Sequence, residues 1–380
     1  MKNSLLRVGA LAAASLLALS ACAEPPAENT AAPSNDASAT AGESSAPAET
    51  ESETAANADF KACMVSDFGG FDDKSFNETS YNGLLKAEEE LGIEVNEIES
   101  NAESEYAGNI QSMIDEGCNI VVTVGFALAN ATEAAAKQNP DVDFAIVDYN
   151  SFDGVDNAKG LLFNAAQPAF LAGYTAAAMT ETGVVGTFGG AKYPTVTIFM
   201  DGFDQGVKYY NETKGADVQL LGWSEEAQDG QFIGGNDPFG DIPGGKNTAS
   251  TLISQGADII MPVAGPAGQG ALQAAQESGG KVNAIWVDTD GYESASEFGN
   301  VIITSVAKGM DVAVFEAIQA SMNDEFSSEE YVGTLENEGV SLAPFHDFED
   351  DLPEGLTGEL DDLKAKIISG EIEITSPSQP

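Results

Sequence analysis

From Phe60 onward, short blocks of consecutive apolar residues alternate with longer stretches in which apolar residues recur every three or four positions. The short blocks predict buried strands and the longer stretches predict amphipathic helices. In the first half, strands are expected at Lys61–Val65, Ile93–Ile98, Ile120–Val124 and Phe144–Val147. Helices are expected at Ser75–Leu91, Tyr106–Glu116 and Ala127–Gln138 between them. After Pro168 a second series begins, with helices at Ala169–Thr180, Val196–Asn211, Asn247–Gln255, Gly268–Glu277 and Ala307–Asn323. Its strands are expected at Val184–Phe188, Val218–Leu221, Asp258–Val263, Asn283–Val287 and Val301–Val306. Strands apolar throughout and alternating with helices imply parallel sheets covered on both faces. The expected fold class is therefore α/β, with two doubly wound parallel-sheet lobes and a cleft between them. Residues 60–165 form the first lobe, 166–287 the second, 288–345 segments shared by both, and 346–380 an acidic tail.

The N-terminus has a different pattern. Lys2 and Arg7 precede an apolar run from Val8 to Leu19, too short for a membrane-spanning helix and suited to a signal-peptide core. The run ends in Leu19-Ser20-Ala21-Cys22, which resembles the bacterial lipobox with Cys22 as the lipidated residue. Residues 1–22 then form a lipoprotein signal peptide, and lipid on Cys22 holds the exported protein to the extracytoplasmic face of the membrane. Residues 23–59 are rich in Ala, Ser, Thr, Pro and Glu and almost free of large apolar side chains. Such a segment cannot bury enough surface to offset its ordering entropy, so a flexible tether is expected.

Charge narrows the functional classes. There are 15 Lys+Arg against 62 Asp+Glu, a formal net charge of −47. Nucleic-acid binding is excluded, because it needs a basic face to neutralise phosphate. The only arginine is Arg7, so any cationic contact in the folded body comes from a lysine. Cys63 and Cys118 both lie in or beside apolar strands and are expected to be free core thiols. With His346 as the lone histidine, no metal-ligand spacing is present, and neither a metal nor another cofactor is expected. No Cys–His pair, GxSxG elbow or phosphate loop appears, so an enzyme is not expected.

In open parallel sheets ligands bind at the carboxyl ends of strands. The residues at those ends are Asp67, Gly125-Phe126, Asp148, Gly189-Gly190, Gly265 and Asp288. Three are acids, suited to hydrogen bonding with sugar hydroxyls or a base N–H. Lys308 also follows a predicted strand. Asp72 and Asp73 precede Ser75 and suit capping of a helix start. Trp223 and Trp286 are expected in the core.

The run Asp67-Phe68-Gly69-Gly70-Phe71-Asp72-Asp73-Lys74-Ser75-Phe76-Asn77, followed by Tyr81-Asn82-Gly83-Leu84, resembles the opening of the basic membrane protein family. These are Med- and PnrA-like substrate-binding lipoproteins of ABC transporters with the type I periplasmic-binding fold. Further matches follow in order, among them Phe144-Ala145-Ile146-Val147-Asp148, Asp201-Gly202-Phe203-Asp204-Gln205-Gly206, Trp286-Val287-Asp288-Thr289-Asp290 and Thr304-Ser305-Val306-Ala307-Lys308. The resemblance covers about residues 60–323.

The resemblance implies a monomeric receptor that captures a purine nucleoside between its lobes and delivers it to a membrane permease and ATPase. It implies that Phe76 and Phe203 sandwich the base, with Asn77 beside the first. It further implies that Asp67, Asp148, Asp241, Gly265 and Asp288 surround the base edge and ribose. The segment from Gly230 to Gly245 is longer and richer in glycine than the family pattern, and Asp237 competes with Asp241 for its place. Two other readings stay open: a receptor of the same fold for a sugar or other small polar ligand, and a nucleoside hydrolase.

Overall fold

The computed structural model describes Asn57 and residues 59–380. Cys22 and nearly all of the tether segment lie outside the described residues. The chain opens with β1 (Lys61–Ser66), α1 (Phe76–Leu91), β2 (Glu94–Ile98), α2 (Tyr106–Asp115), β3 (Ile120–Val124), α3 (Ala129–Gln138), β4 (Asp143–Val147) and β5 (Ala158–Phe163). It continues with α4 (Ala166–Met179), β6 (Val184–Gly189), α5 (Pro194–Lys214), β7 (Gln219–Leu221), β8 (Trp223–Ser224) and β9 (Asp229–Gly230). Next come α6 (Ile242–Ser254), β10 (Ile259–Val263), α7 (Gln269–Glu277), β11 (Asn283–Asp288), the one-turn α8 (Gly291–Ser294) and β12 (Ile302–Lys308). The last elements are α9 (Met310–Met322), β13 (Tyr331–Gly333), β14 (Val340–Leu342) and α10 (Leu356–Ile368).

Two six-stranded sheets result, in the orders β13-β5-β4-β3-β1-β2 and β14-β12-β11-β10-β6-β7. Every pair is parallel except β12 with β14. The chain passes between sheets after β5, after β12 and between β13 and β14. The first and third passages carry α4 and β14 into the second lobe, and the second returns α9 to pack on α1. β1, β3 and β4 are buried almost end to end, as strands covered on both faces must be.

β5 has no counterpart in the predicted elements, because Lys159-Gly160 interrupts its apolar run. Gly160 is required there, since a Cβ would collide with backbone atoms of residues 149–151. The acidic tail also carries structure. Leu356, Leu360, Leu363 and Ile367 bury one face of α10 against the core, and α10 packs on α4.

The expectation of two free thiols is overturned. Cys63 and Cys118 form a disulfide, with Cα atoms 5.9 Å apart. Cys63 lies on β1 and Cys118 just before the neighbouring β3, and that pairing brings together residues 55 positions apart in sequence. The Cα separation is within the usual disulfide range of about 4.4–6.8 Å.

α4 and α5 cross at backbone contact. A Cβ at Gly173 would strike the carbonyl of Phe203, and one at Gly206 would strike that of Phe170. The small residues of α4 exist to permit this approach. They leave it buried nearly all round, without a polar face.

Candidate functional site

The carboxyl ends of β1, β3, β4, β10, β11 and β12 converge on one cavity between the sheets. Counting its open mouth and the solvent in it, it takes in about 580 Å3. Asp67, Phe76, Asn77, Asp148, Gly265 and Asp288 all line it. Two other candidates do not.

Phe203 is fully buried on α5. Its flanking glycines explain why. Gly202 packs against Ala166 of α4 and Gly206 against Phe170, so Phe203 between them faces the helix seam and core. Phe199, one turn earlier, presents its ring to the cavity instead. Asp241 is exposed at the start of α6, where its Oδ1 accepts from the Gly244 N–H at 2.9 Å. Asp237 caps the preceding turn in the same way through the Gly240 N–H. The glycine-rich segment instead brings Phe239 to the cavity, against Gly190, where a Cβ would overlap its ring.

Asp148 and Asp288 both adopt positive φ, 64° and 73°. A non-glycine residue pays a local strain for that conformation, which functional sites commonly tolerate. Here it turns one carboxylate from each lobe toward Lys308. The Lys308 Nζ lies 2.7 Å from Asp148 Oδ2 and 3.4 Å from Asp288 Oδ1. It also lies 5.2 Å from the ring centre of Phe76 and 5.0 Å from that of Phe199. Burial alone would lower the lysine, but the two carboxylates more than offset it, and the ammonium is held above its ordinary range. The Ser75 hydroxyl donates to Asp288 Oδ2 at 2.9 Å across the cleft. The Lys74 carbonyl accepts from Trp286 Nε1 and the Ser294 hydroxyl. The two lobes thus meet directly around the cavity.

The other end of the cavity is built on Asp73 and Asn77. Asp73 accepts from the backbone N–H groups of Ser75, Asn77 and Glu78, holding the start of α1. Burial nonetheless pushes Asp73 up to about 6. Asn77 Nδ2 donates to Asp67 Oδ1 at 3.0 Å, to the Phe68 carbonyl and to Asp73. Its Oδ1 is buried and has no partner within the protein. Asp67 has no cationic neighbour, and burial raises it to about 8 despite the Asn77 bond. It therefore carries its proton at neutral pH. The carboxyl fits only because Gly125, at φ 117°, has no Cβ to meet it. A protonated carboxyl beside an unfilled amide oxygen offers one donor and one acceptor side by side.

Three further rings line the cavity, of which the sequence marked only Phe126, as a strand-end residue. Phe126 of the first lobe stacks on Tyr193 of the second, with centroids 5.4 Å apart at 26°. Tyr193 in turn meets Phe239 at 5.9 Å. Their signal in the sequence was position alone, at the ends of β3 and β6 and inside the glycine-rich segment.

The PnrA-like ABC transporter substrate-binding proteins match residues 60–378. The chain belongs to this family, named Bmp. Among relatives, basic membrane protein A2 of Borrelia garinii subsp. bavariensis is 33% identical, over 80% of this chain and 85% of that one. A Lactococcus lactis subsp. cremoris protein named ABC transporter nucleoside-binding protein BmpA is 29% identical, over 99% and 100%. An ABC solute-binding protein of Aeropyrum pernix superposes with a TM-score of 0.71 at 26% identity, covering 84% of this chain and 94% of that one. As a Bmp protein, the chain binds a ligand and works with an ABC transporter. Its sheets have the architecture of type I periplasmic solute-binding proteins. Among the described residues no helix is long and apolar enough to cross a membrane.

Proposed function

We propose that this Bmp protein captures a purine nucleoside and passes it to the permease and ATPase of an importer, as a monomer anchored by lipid on Cys22. The observation that carries the reading is the unpartnered Asn77 Oδ1 beside protonated Asp67, next to the Phe76 ring. A buried polar atom without a partner costs about 1–3 kcal/mol. A flat heterocycle presenting a donor next to an acceptor satisfies both groups. Phe76 and Phe199 then offer stacking surfaces worth roughly 1–3 kcal/mol per base. Asp148, Asp288 and Lys308, at the other end, suit the ribose hydroxyls. The name of the Lactococcus relative agrees with this assignment.

The test is a thermal-shift panel of adenosine, guanosine, inosine, ribose and glucose, followed by calorimetry on any hit. A ligand at about 100 times its dissociation constant stabilises by roughly 2.7 kcal/mol. Stabilisation by a nucleoside supports the reading, and stabilisation by sugars alone replaces it with a sugar receptor. Metabolic labelling with a fatty-acid analogue, lost in Cys22→Ser, tests the anchor.

A further inference from the structure

A second cavity lies directly beyond Lys308 and Asp148. It shares Phe126, Asp148, Thr195 and Lys308 with the first cavity, so the two are contiguous. Counting its mouth and the solvent in it, it takes in about 690 Å3. Leu162, Phe163, Pro194 and Ile198 supply much of its wall, and Asn150 lies on its rim. Residues 377–380 form its outer side. Residues 375–378, which lead into that side, are held on α5 by three pairs: Gln205 with Thr375, Ser376 with Asp201, and Ser378 with Thr197. Asp201 is fully buried and also accepts from Trp223 Nε1 and Gln228 Nε2, so the strap is tied to the core of the second lobe.

We infer that this second chamber takes an uncharged substituent on the sugar side of the ligand. The inference rests on the nucleoside reading above, which places the ribose at Lys308 and Asp148. A ribose there has open space behind it instead of a closed wall. Among the side chains of the lining only Asp148 and Lys308 are charged, and those two are paired with one another. Lys308 also lies against Asp288, so no free cation in the lining could receive a phosphate. An alkylthio or similar neutral group fits this lining, whereas a phosphate would face carboxylates without a counter-charge.

The test measures binding of three probes to the full chain by calorimetry: adenosine, 5′-deoxy-5′-methylthioadenosine and adenosine 5′-monophosphate. The thioether is expected to bind within about threefold of adenosine or tighter, and the monophosphate at least about tenfold more weakly. Asn150 is exposed and its side chain makes no hydrogen bond, so Asn150→Trp should fold and fill the chamber from its rim. It should weaken the thioether about tenfold or more while adenosine stays within about twofold. Binding of adenosine without the thioether overturns the chamber alone, as does an equal effect of Asn150→Trp on both. A monophosphate that binds as well as the thioether overturns the preference for a neutral group. Binding of none of adenosine, guanosine, inosine and the thioether overturns the nucleoside reading and the chamber with it.

Discussion

Lys308 and Asp148 come from different lobes, and their side chains meet at 2.7 Å at the passage from β12 toward α9. Asp288 approaches the same ammonium at 3.4 Å from the second lobe. In a body without arginine, this lysine is the cation that keeps two buried carboxylates in place. Removing one partner of a buried ion pair leaves an uncompensated charge and costs about 3–5 kcal/mol. Lys308→Met is therefore expected to lose about that much stability by urea denaturation. Adding Asp148→Asn should restore part of it, because one orphaned charge is then gone. An additive loss in the double variant would show that the two side chains are not coupled.

Phe199 and Phe203 separate ligand binding from packing. Both are buried on α5, but only Phe199 lines the cavity. Phe199→Leu should fold and weaken nucleoside binding by about tenfold, in line with roughly 1–3 kcal/mol for a lost stacking contact. Phe203→Leu should lower the melting temperature and leave the affinity of the remaining folded protein unchanged. Calorimetry at a temperature where both variants are folded distinguishes them. The reverse outcome would restore Phe203 to the site.

That exchange shows where the sequence was legible and where it was not. β3 announces itself because all five residues are β-branched and four of them apolar, and the rule that ligands sit at strand ends then points to Asp148 and Asp288 without coordinates. Helix phase is harder. Phe199 and Phe203 are four residues apart and share a face, and only the glycine contacts with α4 show which ring turns inward. Lys308 was legible as a strand-end residue, but its burial between two acids from different lobes is a tertiary fact. The set of further rings depends on Phe126 and Tyr193 meeting across the cleft, which no local pattern records. α10 escaped notice because the acids of its exposed face dominate the composition of the tail.

The disulfide makes a prediction from loop length. Cys63 and Cys118 are 55 residues apart. Closing a loop of that size removes enough unfolded-state entropy to stabilise by about 4 kcal/mol in the chain-entropy model. Cys63→Ala with Cys118→Ala should lower stability by a few kcal/mol, and a reductant should do nothing further to that variant. A thiol titration of the denatured, unreduced wild-type body should find neither cysteine reactive. Two reactive thiols would show that the bond does not form.

A net charge of −47 should make the fold salt-dependent. Like charges crowd the folded surface more than the expanded chain, and screening relieves this. The Debye length falls from about 30 Å at 0.01 M to about 3 Å at 1 M. The melting temperature should therefore rise steeply with sodium chloride up to about 0.5 M and then flatten. A flat profile from low salt onward would mean that self-repulsion does not weaken this fold.

Asp67 makes the pH dependence specific. Its carboxyl is raised from 3.8 to about 8, chiefly by burial. Between those values the folded state holds a proton that the unfolded state has released. The slope of unfolding free energy with pH is then negative, so stability from this group is greatest below about pH 4 and declines toward pH 8. Asp73, raised to about 6, adds the same sign over a narrower window. Asp67→Asn preserves an acceptor for Asn77 Nδ2 and cannot ionise. The variant should match the wild type near pH 4, gain on it steadily as pH rises, and hold a constant advantage above about pH 8. Melting curves of both proteins from pH 4 to pH 9 measure this directly. Ligand affinity should instead hold up to about pH 8 and fall above it, because the donor at Asp67 disappears only as the folded protein's carboxyl ionises. A stability gap that does not change with pH would show that Asp67 ionises like an ordinary surface carboxylate, and would remove the protonated donor from the binding site.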